Sequence, residues 1–182
     1  MDPFFESPPP PLPGPRRPHP RAANARPADE LPAHVPVELL LLQDEQSALW
    51  LSEVDVYMTG FGIKLSAMLR GDSLDDPSRR FTAVRMGLVW PDGTKVFDPR
   101  TGPAGAAGSP RLGSRHGYGA TGEYSWEWWV APLPPQGDLT VVVDWAERGF
   151  GEARASFDTA DLLSASARVI SITSAEPDAS EA

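Results

Sequence analysis

The chain has 182 residues, a formal net charge of -9, a pI near 4.7 and no cysteine. That length suits one domain with its own core. The lack of thiols excludes disulfides, iron–sulfur clusters and cysteine-based zinc sites. Residues 1–34 carry four arginines against Asp2, Glu6, Asp29 and Glu30, so the excess acid lies on the rest of the chain. Such a domain repels nucleic acid and anionic membrane over most of its surface, which argues against both as partners. The first residues show no basic segment leading into an apolar run, and no run is long enough to span a bilayer. With the cysteine-free composition, this points to a cytoplasmic protein.

Residues 1–34 are read as a disordered, proline-rich arm. Pro8–Pro13 favours polyproline II, which has no internal hydrogen bonds, and the segment has too little apolar surface to offset its ordering entropy. An alternative reading makes it a docking peptide, with Pro10 and Pro13 three apart, Arg16 one place late for a basic-ended ligand, and Phe4 and Phe5 as a short anchor. The domain then runs over residues 35–172. A first strand covers Val37 to Leu42. Trp50 to Leu69 alternates with period two, but the parity of its apolar residues flips between Met58 and Phe61, which predicts a bulge or tight turn at Gly60. Asp72, Asp75 and Asp76 fall in a polar loop that reads as a solvated turn. They lack the calcium-loop pattern, and Arg79 and Arg80 lie beside them.

Phe81 to Trp90 predicts a strand, Pro91-Asp92-Gly93 a turn, and Lys95 to Phe97 a short return strand. Residues 98–122 are rich in glycine, proline and alanine with no apolar period, and read as a long loop. Glu123 to Val130 and Leu139 to Trp145 read as two strands of a tryptophan-rich hairpin, turned by Leu133 to Gly137. Ala153 to Phe157 adds a strand. Asp158, with Asp161 three residues on, reads as the cap of a short helix whose core positions are Leu162, Leu163 and Ala165 or Ala167. Residues 173–182 form an acidic, disordered tail. Many short strands and one helix predict a mainly β, antiparallel sandwich-like fold with a short C-terminal helix, strand order open.

Each candidate site has a plainer structural reading beside it. Trp126 and Trp128 share one face of their strand and Trp129 takes the other. If the first two fill the core, Trp129 is either covered by another element or exposed as a hot spot for a protein partner. Arg115, His116 and Tyr118 belong to the same interaction hypothesis through the glycine-rich segment. That segment lacks phosphate-loop spacing. His116 has no indicated catalytic partner, and no histidine pair has metal-ligand spacing, so no catalytic residue, metal or cofactor is assigned. An alternative ligand site uses Glu127, Asp144 and Trp145, where carboxylates beside tryptophan suit sugar binding or glycoside hydrolysis. Leu39 to Leu42 offers few outward polar residues, so a second copy covering this strand is a further expectation.

The stretch Arg85 to Gly93, an arginine-bearing strand ending in an aspartate-glycine turn, is one of two features that resemble a family of small proteins from high-GC actinobacteria. The other is the tryptophan strand followed by Pro132-Leu133-Pro134-Pro135, Gly137, Asp138 and an apolar strand ending in Trp145. The resemblance covers about residues 35–170 and implies a small bacterial β-rich domain with no named activity. The expected role is a non-enzymatic protein-interaction or accessory domain, acting on a protein partner or by self-association. The alternative is a carbohydrate- or small-ligand-binding module or hydrolase.

Overall fold

Period-two alternation divides each strand into a face for the core and a face for solvent. In the computed structural model, which describes residues 26–70, 84–97, 109–120 and 122–172, that alternation builds two large antiparallel sheets and a separate two-stranded one. Among the described residues the strands are β1 (Glu30–Leu31), β2 (Ala33–Val35), β3 (Leu39–Gln43), β4 (Ser47–Tyr57), β5 (Gly60–Leu69), β6 (Arg85–Val89), β7 (Lys95–Phe97), β8 (Arg111–Ala120), β9 (Glu123–Ala131), β10 (Asp138–Trp145), β11 (Phe150–Asp158) and β12 (Ile170–Ser171). A short helix, α1 (Ala160–Ser166), precedes β12. None of these elements is a helix long and apolar enough to cross a membrane.

The larger sheet has the order β2-β4-β5-β9-β8, with β3 pairing β4 beside β2. The smaller sheet has the order β11-β10-β6-β7. β3 meets β11 at one side and β7 meets β8 at the other, while the ladders stay separate, giving a sandwich and not a closed barrel. Leu49, Phe61, Leu65 and Trp128 of the larger sheet face Leu88, Val141 and Trp145 of the smaller, all buried in one core. Trp126 and Trp145 meet edge to face across it, centroids 5.8 Å apart. Such an aromatic pair adds about 0.5–1.5 kcal/mol beyond its area. α1 buries Leu162 and Ala165 against β2 and β4.

Several expectations are corrected. β9 and β10 do not form a hairpin: β9 pairs β5 and β8, and β10 pairs β6 and β11, so the proline-rich connection carries the chain from one sheet to the other. Both edges of β9 are already taken, and both strands turn tryptophans into the shared core. Residues 111–120, read as part of a long loop, form β8, because backbone pairing with β9 needs no apolar side chains. The arm boundary also moves. β1 pairs β12, β2 pairs β4, and Ala33 and Val35 are buried, so residues 26–34 belong to the domain. The parity change between Met58 and Phe61 is, as the tight-turn reading expected, a two-residue turn, Met58-Thr59, with Gly60 opening β5, while a bulge in β4 lies at Ser52. The remaining arm residues, including Phe4, Phe5, Pro10, Pro13 and Arg16, lie outside the described residues, as do the Asp72–Asp76 loop and residues 173–182.

Candidate interaction face

Three tryptophans on one strand must split between faces. Trp126 and Trp128 fill the core. Trp129 points to the outer face of the larger sheet yet is only 4% exposed. There it forms a second small apolar cluster with Tyr57 and Ala131. Tyr57 meets it edge to face at 5.3 Å, and the Arg26 guanidinium lies 4.9 Å from the centre of the Tyr57 ring. Gly60 lies beneath the indole: a Cβ there would come within 2.7 Å of Trp129 Cζ2. Of the two readings of Trp129, covered or exposed, the structure shows the covered one, with Tyr57 packed against the indole. Its indole N–H is buried without an acceptor among the described residues.

The tryptophan that does reach the surface is Trp50. The other five of the six are buried. Strand register explains the difference. Leu49 and Leu51 of β4 point inward, which turns Trp50 outward, directly between Leu40 of β3 and Ser66 of β5. Leu40 is 58% exposed, and Met68, diagonal to Trp50 on β5, is 49% exposed. Beside them lies a shallow hollow of about 530 Å³, lined by Trp50, Met68, Ser66, Ser125, Lys64 and Glu123 among others. The bulge at Ser52 sends its hydroxyl across to Ser66 Oγ, 2.8 Å away, and to the Lys64 carbonyl, 3.2 Å away, which fixes the sheet below the hollow. Lys64 Nζ stands 3.3 Å from Glu53 Oε2.

The expected alternative ligand site does not assemble. Glu127 lies on the outer face of the larger sheet, across from Lys64. Asp144 lies on the outer face of the smaller sheet, paired with Arg85, and Trp145 is in the core between them. Arg115, His116 and Tyr118 fall on β8, but their side chains lie outside the described residues. A second hollow, about 240 Å³, crosses the smaller sheet over Gly87, with Phe97 and Val142 beside it and Arg85, Asp144, Glu152 and Arg154 at its rim. No signal in the sequence singled out Trp50, because its partners Leu40 and Met68 come from two other strands. No family model, curated protein or solved structure matches the chain.

Proposed function

We propose that the chain is a non-enzymatic interaction domain whose contact face centres on Trp50, and that its first partner is a second copy of itself. The observation that carries this reading is the continuous apolar row of Leu40, Trp50 and Met68 on the solvent side of a rigid sheet. Tryptophan is enriched among residues that dominate binding energy, and Leu40 and Met68 supply surrounding contacts that exclude water. Lys64 and Glu123 line the same hollow. A patch holding both charges is complementary to its own two-fold copy, as an isologous dimer requires. The acidic composition favours a protein partner over nucleic acid, and the lack of cysteine suits a cytoplasmic setting.

The test is light scattering on the full chain over a wide concentration range, beside Trp50→Ser. The expected result is a concentration-dependent dimer that the substitution converts to a folded monomer whose melting temperature no longer depends on concentration. A monomer at every concentration, or a dimer indifferent to the substitution, overturns the reading. A second reading is supported by the polar lining of the same hollow. Trp50 flanked by Ser66, Ser125, Lys64 and Glu123 suits stacking and hydrogen bonding to a sugar ring. Saccharide-induced changes in fluorescence that vanish in Trp50→Ser are its signature.

A further inference from the structure

We infer that His34, Glu53 and Asp55 form a binding site for a divalent transition-metal ion of the zinc type. The three residues come from two paired strands. His34 of β2 is directly opposite Asp55 of β4, and Glu53 stands two residues before Asp55 on the same face. Their ligand atoms all lie within 4.8 Å of one another.

The spacing that gives the pair only a long hydrogen bond also suits a metal. His34 Nδ1 and Asp55 Oδ1 are 3.5 Å apart. At that distance they make a long, weak hydrogen bond, which an ion could replace. Two ligands bound to zinc at about 2.1 Å in tetrahedral geometry stand about 3.4 Å from each other. The His34–Asp55 pair therefore already spans one edge of a zinc tetrahedron. The Glu53 carboxylate, within 4.8 Å of the other two ligand atoms, supplies a third ligand by turning away from Lys64.

The chemistry agrees with the geometry. One neutral imidazole and two carboxylates supply two negative charges against a divalent cation, and imidazole with carboxylate suits zinc, cobalt or nickel. Three protein ligands leave a coordination position for water. All three side chains are open to solvent, at 55%, 37% and 26% exposure for His34, Glu53 and Asp55. The cations nearby are Lys64, on Glu53, and Arg26, which lines the adjoining small hollow with Glu53 and Asp55. An exposed lysine–carboxylate pair is a weak competitor, and a divalent ion displaces it. Strand pairing holds His34 and Asp55 in place before the ion arrives, so binding needs little reordering of the backbone.

The test uses the full chain, stripped with a chelator and titrated with Zn²⁺ alone by calorimetry, with Co²⁺ absorption as a reporter of coordination number. One saturable site per chain is expected. His34→Ala and Asp55→Asn should each raise Kd at least about tenfold, as even the loss of a supporting outer residue does at metal sites. Lys64→Gln should bind at least as tightly as the wild type. His19→Ala and His116→Ala should bind as the wild type does. Melting of each metal-free variant checks that it is folded. If His34→Ala is not folded, Asp55→Asn and Lys64→Gln carry the test. The inference is overturned by a lack of saturable binding, by binding that survives both His34→Ala and Asp55→Asn, or by binding that disappears with His19 or His116.

Discussion

Trp128 of β9 and Trp50 of β4 lie in the same sheet, separated by β5, and differ in what removing them should do. Trp128 is fully buried in the core, so Trp128→Ala should cost about 3–5 kcal/mol in urea unfolding, the usual range for a large aromatic truncated in a core. Trp50→Ser removes a partly exposed side chain and should cost under about 1 kcal/mol while abolishing association. Gly60 is a sharper case. A methyl group there runs into the Val130 carbonyl and the Trp129 ring, neither of which is a free end able to swing away. Gly60→Ala should therefore destabilise by about 1–3 kcal/mol, as overpacking does, measured by the same unfolding curves. The sequence marked Gly60 as special through the parity change around it. It did not disclose that Trp129 lies across it, which depends on how β5 and β9 align.

At the scale of elements, the crossing from β9 to β10 is held by Thr159, which is fully buried. Its hydroxyl donates to the Pro135 carbonyl at 2.9 Å and accepts from the Gly137 N–H at 3.0 Å. Its own N–H donates to the Gly137 carbonyl at 2.9 Å. Thr159 thus ties the loop between sheets to the start of α1, and its side chain does not cap the helix. Asp158, expected as the cap, stands one residue before the N-cap position and accepts from the first helical N–H, that of Ala160, at 2.8 Å. Thr159→Val keeps the shape and strands a donor and an acceptor, so a loss of about 2–3 kcal/mol is expected in denaturant unfolding. The turn from β6 to β7 was legible because its signals are local: Gly93 takes a φ of 83° and Asp92 accepts from the Thr94 N–H at 2.9 Å. That bond lowers the Asp92 pKa from 3.8. A carboxylate lowered in the folded state stabilises it above the unfolded pKa and loses that effect as pH falls through the folded value. Asp92→Asn should therefore flatten the acid end of the stability–pH profile, below about pH 4.

At the scale of the molecule, the fold class and most strand positions followed from alternation and turn residues. The pairing of strands did not. β9 and β10 are adjacent in sequence, and a hairpin was the natural expectation for two apolar strands joined by a short connection. What decides otherwise is competition: β5 and β8 occupy both edges of β9, which only the assembled sheet reveals. β8 was hidden because glycine-rich strands carry no apolar period, and β1 and β2 because a proline-rich approach masks five strand residues. The domain boundary gives this a test. A chain beginning at Pro36 lacks β1 and β2 with their buried Ala33 and Val35, and should melt well below a chain beginning at Arg26. A shift of about 2–4 °C per kcal/mol lost, as for a domain of this size, makes the difference readable. The candidate surfaces were illegible for the same reason as the pairing. Leu40, Trp50 and Met68 come together across three strands, and His34 meets Asp55 only through the β2–β4 register.

The central claim is that Trp50 is the tryptophan offered to solvent and to a partner. Acrylamide quenching of tryptophan fluorescence tests it most directly, run on dilute and concentrated wild type beside Trp50→Phe. One readily quenched component is expected in dilute protein, lost in Trp50→Phe and protected as the concentration rises and a second copy covers the face. A quenched component that persists in Trp50→Phe would contradict it, because another tryptophan would then hold the surface position.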